Sequence, residues 1–312
     1  MIHPYDISNK RIGFSVLNWG LGHLTRSLPL ISALQDQKNL LFIFCSEAQK
    51  KIFAQYLQDV VFVNHSDYPF KFRGKGNFKM DLFRTAPSLF RFLAEEKRLS
   101  EGFVKTYDLN LLISDQRYGF YSAFVPSIFI THQMRLPVSG LSRVFNFINR
   151  YCISKFNNVW IMDQKKNRLA GKLSENKDEN HACYIGSYSR FTLKDKMEKS
   201  LNGLLVLNGP VAYNYFLLDH FSKELEVGEI DYIVGPESAL KLLRTRNITT
   251  PFISNSDMLQ IDTAFLSATK VFGFFGYSTL MDCLELKCNF DLVATPGQAE
   301  QKYLAFRHKK SL

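Results

Sequence analysis

Residues 18 to 26 read NWGLGHLTR and stand between an apolar run, IGFSVL at 12 to 17, and a segment with apolar residues at Leu24, Leu28, Ile31 and Leu34. A strand, a glycine-bearing loop and a helix are the simplest reading of that pattern. Gly20 and Gly22 open backbone angles closed to other residues and let a ligand approach the main chain. The amides at the helix start, near His23 to Arg26, would carry partial positive charge suited to a phosphate or a developing anion. His23 adds a group that exchanges protons near neutral pH. The loop has neither the three glycines of a dinucleotide fingerprint nor the GK[ST] of a Walker loop, so purely structural glycines are the competing reading.

A second cluster lies near the other end. GYSTLMDCLEL (276 to 286) follows the apolar KVFGFF and puts Gly276, Ser278 and Thr279 at another expected helix start, with Asp282 one turn in. TPGQAEQKYLA (295 to 305) then supplies Gln298, Glu300 and Gln301 after a Pro-Gly turn. Amides for a phosphate, a carboxylate for ribose hydroxyls and a Gln/Glu cluster for sugar hydroxyls describe a nucleotide-sugar pocket. Transfer from such a donor needs a base for the acceptor hydroxyl, and His23, Asp115 in ISDQRYG and His132 in ITHQ all fall at or just past expected strand ends. Asp115 would serve as the base or cap the following helix; His132 would touch acceptor or phosphate, or pack behind the site. Arg117 and Arg135 would hold an anionic acceptor or be ordinary surface arginines, and His3, His65, His181, His220 and His308 have no supporting context.

These residues need a frame. Short apolar runs recur at 12–17, 40–45, 60–63, 109–114, 127–131 and 158–162, and again at 203–208, 230–235, 250–254, 270–276 and 290–296, separated by helix-length amphipathic segments. Continuous rather than alternating hydrophobicity suits strands covered on both faces, as in parallel sheets flanked by helices. The expected fold class is α/β, with two doubly wound, Rossmann-like domains facing each other across a cleft: 1–190 on the acceptor side and 191–312 on the donor side. The polar stretch between about 171 and 200 reads as the connection.

The chain has 312 residues and a net charge of +10, which favours anionic partners. No nucleic-acid module is recognisable. YPFKFRGKGNFKM (68 to 80) interleaves basic and aromatic residues and is either a peripheral membrane contact or an ordinary solvated loop. Five widely spaced cysteines without a CxxC pair suggest reduced thiols and a cytoplasmic protein, at most peripheral at the inner membrane face. No signal peptide is expected in MIHPYDISNKR, and the longest apolar stretch is too short to span a bilayer.

Seven segments in order, NWGLGHLTR, ISDQRYG, ITHQ, LAGKLS, YIGSYSR, GYSTLMD and TPGQAEQKYLA, resemble the GT-B glycosyltransferases related to family 28, the group that includes the lipid II-forming N-acetylglucosaminyltransferase. The likeness is closer still to a bacterial glycosyltransferase-like group that opens with NWGLGHATR. The resemblance implies a metal-independent, cofactor-free hexosyltransferase taking a nucleotide-sugar, a UDP-sugar in the family, to a glycan or lipid-linked acceptor. It places Gly20, Gly22 and His23 near the transferred sugar, Asp282 on the donor ribose, and Glu300 and Gln301 on the sugar hydroxyls. The chain departs from the group where relatives carry RSGYST and SGPEPQR; here the segments read FFGYST, with Phe274 and Phe275, and NGPVAYN. With the short stretch after TPGQAEQKYLA, those departures support an alternative, a GT-B-fold protein that binds a nucleotide, glycan or partner without transfer. A nucleotide-sugar epimerase is a third reading, ranked low because the matched segments are those of the transferase group.

Overall fold

The computed structural model describes residues 2–18, 20–69, 78–137, 142–176, 180–194 and 197–308. The chain forms two compact units, each built on one all-parallel sheet; the main boundary falls between Tyr188 and Ser189, and residues 20–22 and 78–81 group with the second unit.

The first sheet has seven strands in the order β3-β2-β1-β4-β5-β6-β7. They are β1 (Arg11–Val16), β2 (Leu40–Cys45), β3 (Val61–Asn64), β4 (Leu111–Asp115), β5 (Ser127–Thr131), β6 (Asn158–Ile161) and β7 (Ala182–Tyr184). Every residue of β4, β5 and β6 is buried, because helices cover both faces. Alternate residues serve alternate layers. Ile43, Ile113, Ile130 and Trp160 join Leu24, Leu28 and Ile31 of α1 (Leu21–Asp36) on one side. Phe44 and Leu112 pack with Val104 of α3 (Phe78–Thr106), and Phe129, Val159 and Ile161 with Ile153 of α4 (Ser142–Ile153), in clusters formed by the remaining residues. The short α2 (Glu47–Phe53) completes this unit's helices.

The second sheet runs β10-β9-β8-β11-β12, from β8 (Leu201–Val206), β9 (Tyr232–Gly235), β10 (Phe252–Ser254), β11 (Ala268–Phe274) and β12 (Asn289–Val293). Its core joins Leu205, Ile233, Phe272 and Phe274 to Leu217 and Leu218 of α5 (Asn214–His220). The short α6 (Ser222–Glu226) and α7 (Ala239–Thr245) precede α8 (Met258–Ser267), α9 (Tyr277–Glu285) and α10 (Ala299–His308).

The expected α/β architecture is therefore present in both halves. One element differs from the expectation: the stretch from 171 to 200 is not all connection, because β7 adds a seventh strand beside β6, with Val159 paired to Ala182.

Candidate functional site

Each sheet reverses its strand order once, between β1 and β4 in the first and between β8 and β11 in the second. At such a point the loops leaving two adjacent strands diverge and open a crevice at the carboxyl ends. The chemistry-bearing residues of each unit gather there.

In the first unit the crevice is ionic. Asp115 is the last residue of β4 and is fully buried; His132 follows the end of β5; His23 and Arg26 sit in the first two turns of α1. Arg26, itself buried, donates from Nε to Asp115 Oδ2 at 2.9 Å and from Nη2 to Oδ1, a bidentate pair, and Ser27 Oγ adds a third donor at 3.1 Å. His23 Nδ1 lies 3.1 Å from Asp115 Oδ1 and 2.8 Å from Arg26 Nη2, while Arg26 Nη1 reaches His132 Nδ1 at 2.8 Å. One guanidinium thus ties together the carboxylate and both imidazoles.

The electrostatics follow from that knot. Burial alone would push Asp115 up, but Arg26 and His23 beside it hold the carboxyl well below the usual carboxylate range. Burial and the neighbouring Arg26 charge both push His23 down, and they outweigh the attraction of Asp115, so the ring is neutral at pH 7. The neutral ring carries one proton. When Nδ1 donates to Asp115, Nε2 holds a free lone pair; when Nδ1 accepts from Arg26, the proton moves to Nε2. Arg26 has both Oδ atoms of Asp115 as acceptors, so the carboxylate fixes its fork and the first tautomer gives His23 a use for its Nδ1 proton. His23 Nε2 has no hydrogen-bond partner among the described residues, and the side chain keeps 15% of its surface exposed. His132 accepts from Arg26 at Nδ1, and its Nε2 lies 3.3 Å from the Gln133 side-chain amide nitrogen.

In the second unit the crevice is largely neutral. Asn208, just past β8, bridges to β11 and α9: its Nδ2 donates to Phe274 O and Thr279 Oγ1, both at 2.9 Å, and its Oδ1 accepts from Phe274 N at 2.7 Å. Gly276 is the N-cap of α9, extended at φ −77° and ψ 143°, and no side chain caps the helix there. Ser278 and Thr279 stand in the first turn and are half-buried. Thr295 Oγ1, after β12, is buried without a partner.

The remaining expected site residues are scattered or already occupied. Gly20 adopts φ +79° ahead of α1, a left-handed angle that suits glycine, and Gly22 lies in the helix's first turn. Asp282, assigned to the donor ribose by the resemblance, is buried and accepts from Ser189 Oγ at 2.7 Å and Arg190 Nη1 at 2.9 Å. Arg190 also donates to Asp262 Oδ1 at 2.6 Å, so it clamps two buried carboxylates. Gln301 Oε1 accepts from Thr295 N at 2.7 Å, closing the turn before α10, where Gln298 and Glu300 are half-buried. Arg117 is not at the crevice surface: it is fully buried, donates to Glu96 Oε1 at 2.6 Å and Ser66 O at 2.6 Å, and stacks on Tyr68. Arg135 is partly exposed and pairs with Glu175 at 2.9 Å. Most of 68–80, the segment expected to touch a membrane, lies outside the described residues; Tyr68 itself is buried, its hydroxyl on Glu96 at 3.2 Å. Among the described residues no group of three or more His, Cys, Asp or Glu could hold a metal ion.

No protein-family model and no curated protein matches the chain. Solved structures do. The glycosyltransferase of kitacinnamycin is similar over 96% of this chain and 84% of its own, at TM-score 0.62 and 12% identity. SsfS6 of Streptomyces sp. SF2575, a glycosyltransferase complexed with thymidine diphosphate, matches over 96% of this chain and 86% of its own, at TM-score 0.59 and 11% identity. S. aureus MnaA, solved with UDP, covers 94% of this chain and 87% of its own, at TM-score 0.59 and 11% identity. The fold is GT-B.

Sequence reading missed the residue that organises the first crevice. Arg26 stands inside NWGLGHLTR, three residues after His23, and its signal was a charge on a helix whose neighbours Leu24, Leu28 and Ile31 are core. Glu96 and His65 were missed as well: they form a buried pair at 3.1 Å beneath Arg117, with no local spacing to betray it.

Proposed function

We propose that the chain transfers a sugar from a nucleoside-diphosphate sugar, a UDP-hexose in the first instance, to an acceptor hydroxyl, with His23 as the base. The observation that carries the reading is the pair of part-buried His23 with buried Asp115 at the first crevice, with no partner for His23 Nε2 among the described residues. His23 Nε2 takes the proton as the acceptor oxygen attacks the anomeric carbon; Asp115 holds Nδ1–H and stabilises the imidazolium that forms. His132, held at Nδ1 by Arg26, stands beside the base as a positioning group for the acceptor or a phosphate oxygen. Charge developing on the departing diphosphate is met at the start of α9, where no side chain caps the helix and its dipole favours an anion, with the Ser278 and Thr279 hydroxyls beside it. Asp282, held by Ser189 and Arg190, then acts by fixing α9 rather than by gripping ribose alone.

A second reading, nucleotide binding without transfer, is favoured by one observation: Asp282 and Gln301, two expected ligands of the donor, already spend side-chain oxygens on the protein itself. The test separates the two. Nucleotide release from UDP- and TDP-sugars would be followed beside calorimetric nucleotide binding, for the native chain and His23→Ala. Transfer reduced roughly 10²- to 10⁴-fold with binding unchanged supports the base. Undiminished turnover in His23→Ala contradicts it, and binding with no turnover in the native chain supports the second reading.

A further inference from the structure

Helix α4 is packed inside out. On an amphipathic surface helix the apolar stripe ordinarily faces the core. Here Val144, Phe147 and Tyr151, spaced i, i+3, i+7 along one face, are 55%, 64% and 56% exposed, and Phe145 and Ile148 beside them are exposed too. The face turned to the protein is partly polar. Asn146 Oδ1 accepts from Leu136 N at 2.8 Å, and buried Asn149 accepts from the Tyr118 hydroxyl at 2.8 Å; Ile153 anchors the end in the core. The asparagines hold the helix in this orientation, because turning it over would bury five large apolar side chains against polar partners and leave Tyr118 without its acceptor.

Charge indicates what the outward face meets. Positions 142 to 162, from the start of α4 through β6, contain no Asp or Glu and carry Arg143, Arg150 and Lys155. Arg150 in the last turn of the helix and Lys155 two residues past its end are exposed, and Lys155 Nζ lies 4.1 Å from the centre of the Tyr151 ring. Exposed aromatic and aliphatic groups along one helix face, with the exposed cations Arg150 and Lys155 beside them, match the interface of an anionic bilayer, where rings enter the headgroup boundary and cations meet lipid phosphates. No described helix is long and apolar enough to cross a membrane, so contact through this helix would be in the plane of the surface.

We propose that α4 docks the protein on anionic lipid surfaces, with Phe147, Val144 and Tyr151 inserted and Arg150 and Lys155 on the headgroups. This is independent of sugar transfer and concerns a different segment from 68–80. The test is sedimentation of the full chain with vesicles of phosphatidylcholine alone and with phosphatidylglycerol added. Binding is expected only with the anionic lipid, to fall as salt rises, to weaken at least about tenfold in Phe147→Asp, the scale set by burying one such side chain, and to weaken comparably in the double variant Arg150→Glu, Lys155→Glu. Both sites are exposed, and unchanged melting temperatures verify that the variants fold. Failure of the native chain to bind anionic vesicles overturns the proposal, as does binding indifferent to Phe147→Asp. Sedimentation equilibrium supplies the remaining arm: a dimer dissolved by Phe147→Asp, with no vesicle binding, assigns the face to a second copy of this chain and also overturns it.

Discussion

The two crevices use buried arginines in different ways. In the first unit Arg26 joins Asp115, His23 and His132, the groups to which the proposed function gives the proton chemistry. In the second, Arg190 anchors Asp262 and Asp282 behind α9, and the crevice proper is lined by neutral donors and acceptors: Asn208, Thr279, and the backbone of Phe274 and Gly276. A site that moves a proton needs ionisable groups whose charges are set against one another; a site that receives a diphosphate needs fixed dipoles and no carboxylate in its path. The contrast supports the proposed division, with proton chemistry in the first unit and anion binding in the second.

The comparison can be broken most sharply by chemistry. His23→Ala should lower transfer by roughly 10²- to 10⁴-fold, whereas Thr279→Val should leave the rate of a saturated enzyme close to native and raise the nucleotide Kd, as read by steady-state kinetics and calorimetry. Equal kcat losses in both variants would erase the division of labour.

Stability comes next in size. Arg26→Met strands Asp115, and Arg190→Met removes the arginine shared by Asp262 and Asp282, leaving Asp262 its pair with Lys194 at 3.0 Å and Asp282 without a cation. Removing one partner of a buried pair costs about 3–5 kcal/mol, so both variants should unfold at lower denaturant. The distinction is in nucleotide binding by the folded fraction. Arg190→Met should weaken it through α9, and Arg26→Met should not.

The effect of pH is smaller and has a definite sign. His23 is depressed below its ordinary 6.5 in the folded state. The unfolded chain therefore binds the proton first as pH falls, and native stability declines below 6.5 toward the depressed value, flattening beneath it. The kcat/KM profile should fall on its acid limb below pH 6.5, and His23→Ala should remove the stability component from denaturation curves. Smallest of all, Asn208→Ala should cost about 1–3 kcal/mol by leaving a partner of its bridge unmade, measured as a shift in melting temperature.

Much of this was legible in the sequence, for identifiable reasons. The strands announced themselves because both faces are covered: LLFIFC became β2 and SIFIT became β5 without displacement. β7 was hidden because it is three residues long and only partly buried, so it left no apolar run. His23, Asp115 and His132 could be nominated from strand ends, but their convergence depends on β1, β4 and β5 being adjacent, which no local pattern encodes. Arg117 illustrates the opposite failure. A polar loop residue reads as surface, yet its partner Glu96 comes from α3, whose packing brings the carboxylate beneath the loop. The inversion of α4 was likewise invisible, since amphipathic spacing gives the width of an apolar stripe but not the direction it faces.

The central claim is that the His23 proton sits on Nδ1, held by Asp115, and leaves Nε2 as the base. Long-range ¹H–¹⁵N spectra of the chain with ¹⁵N-labelled histidine, recorded at pH 7 and assigned by the loss of one ring system in His23→Ala, read that tautomer without any substrate. The account predicts a protonated Nδ1 and an unprotonated, pyridine-like Nε2 for His23. A proton on Nε2, with Nδ1 accepting from Arg26, would contradict it.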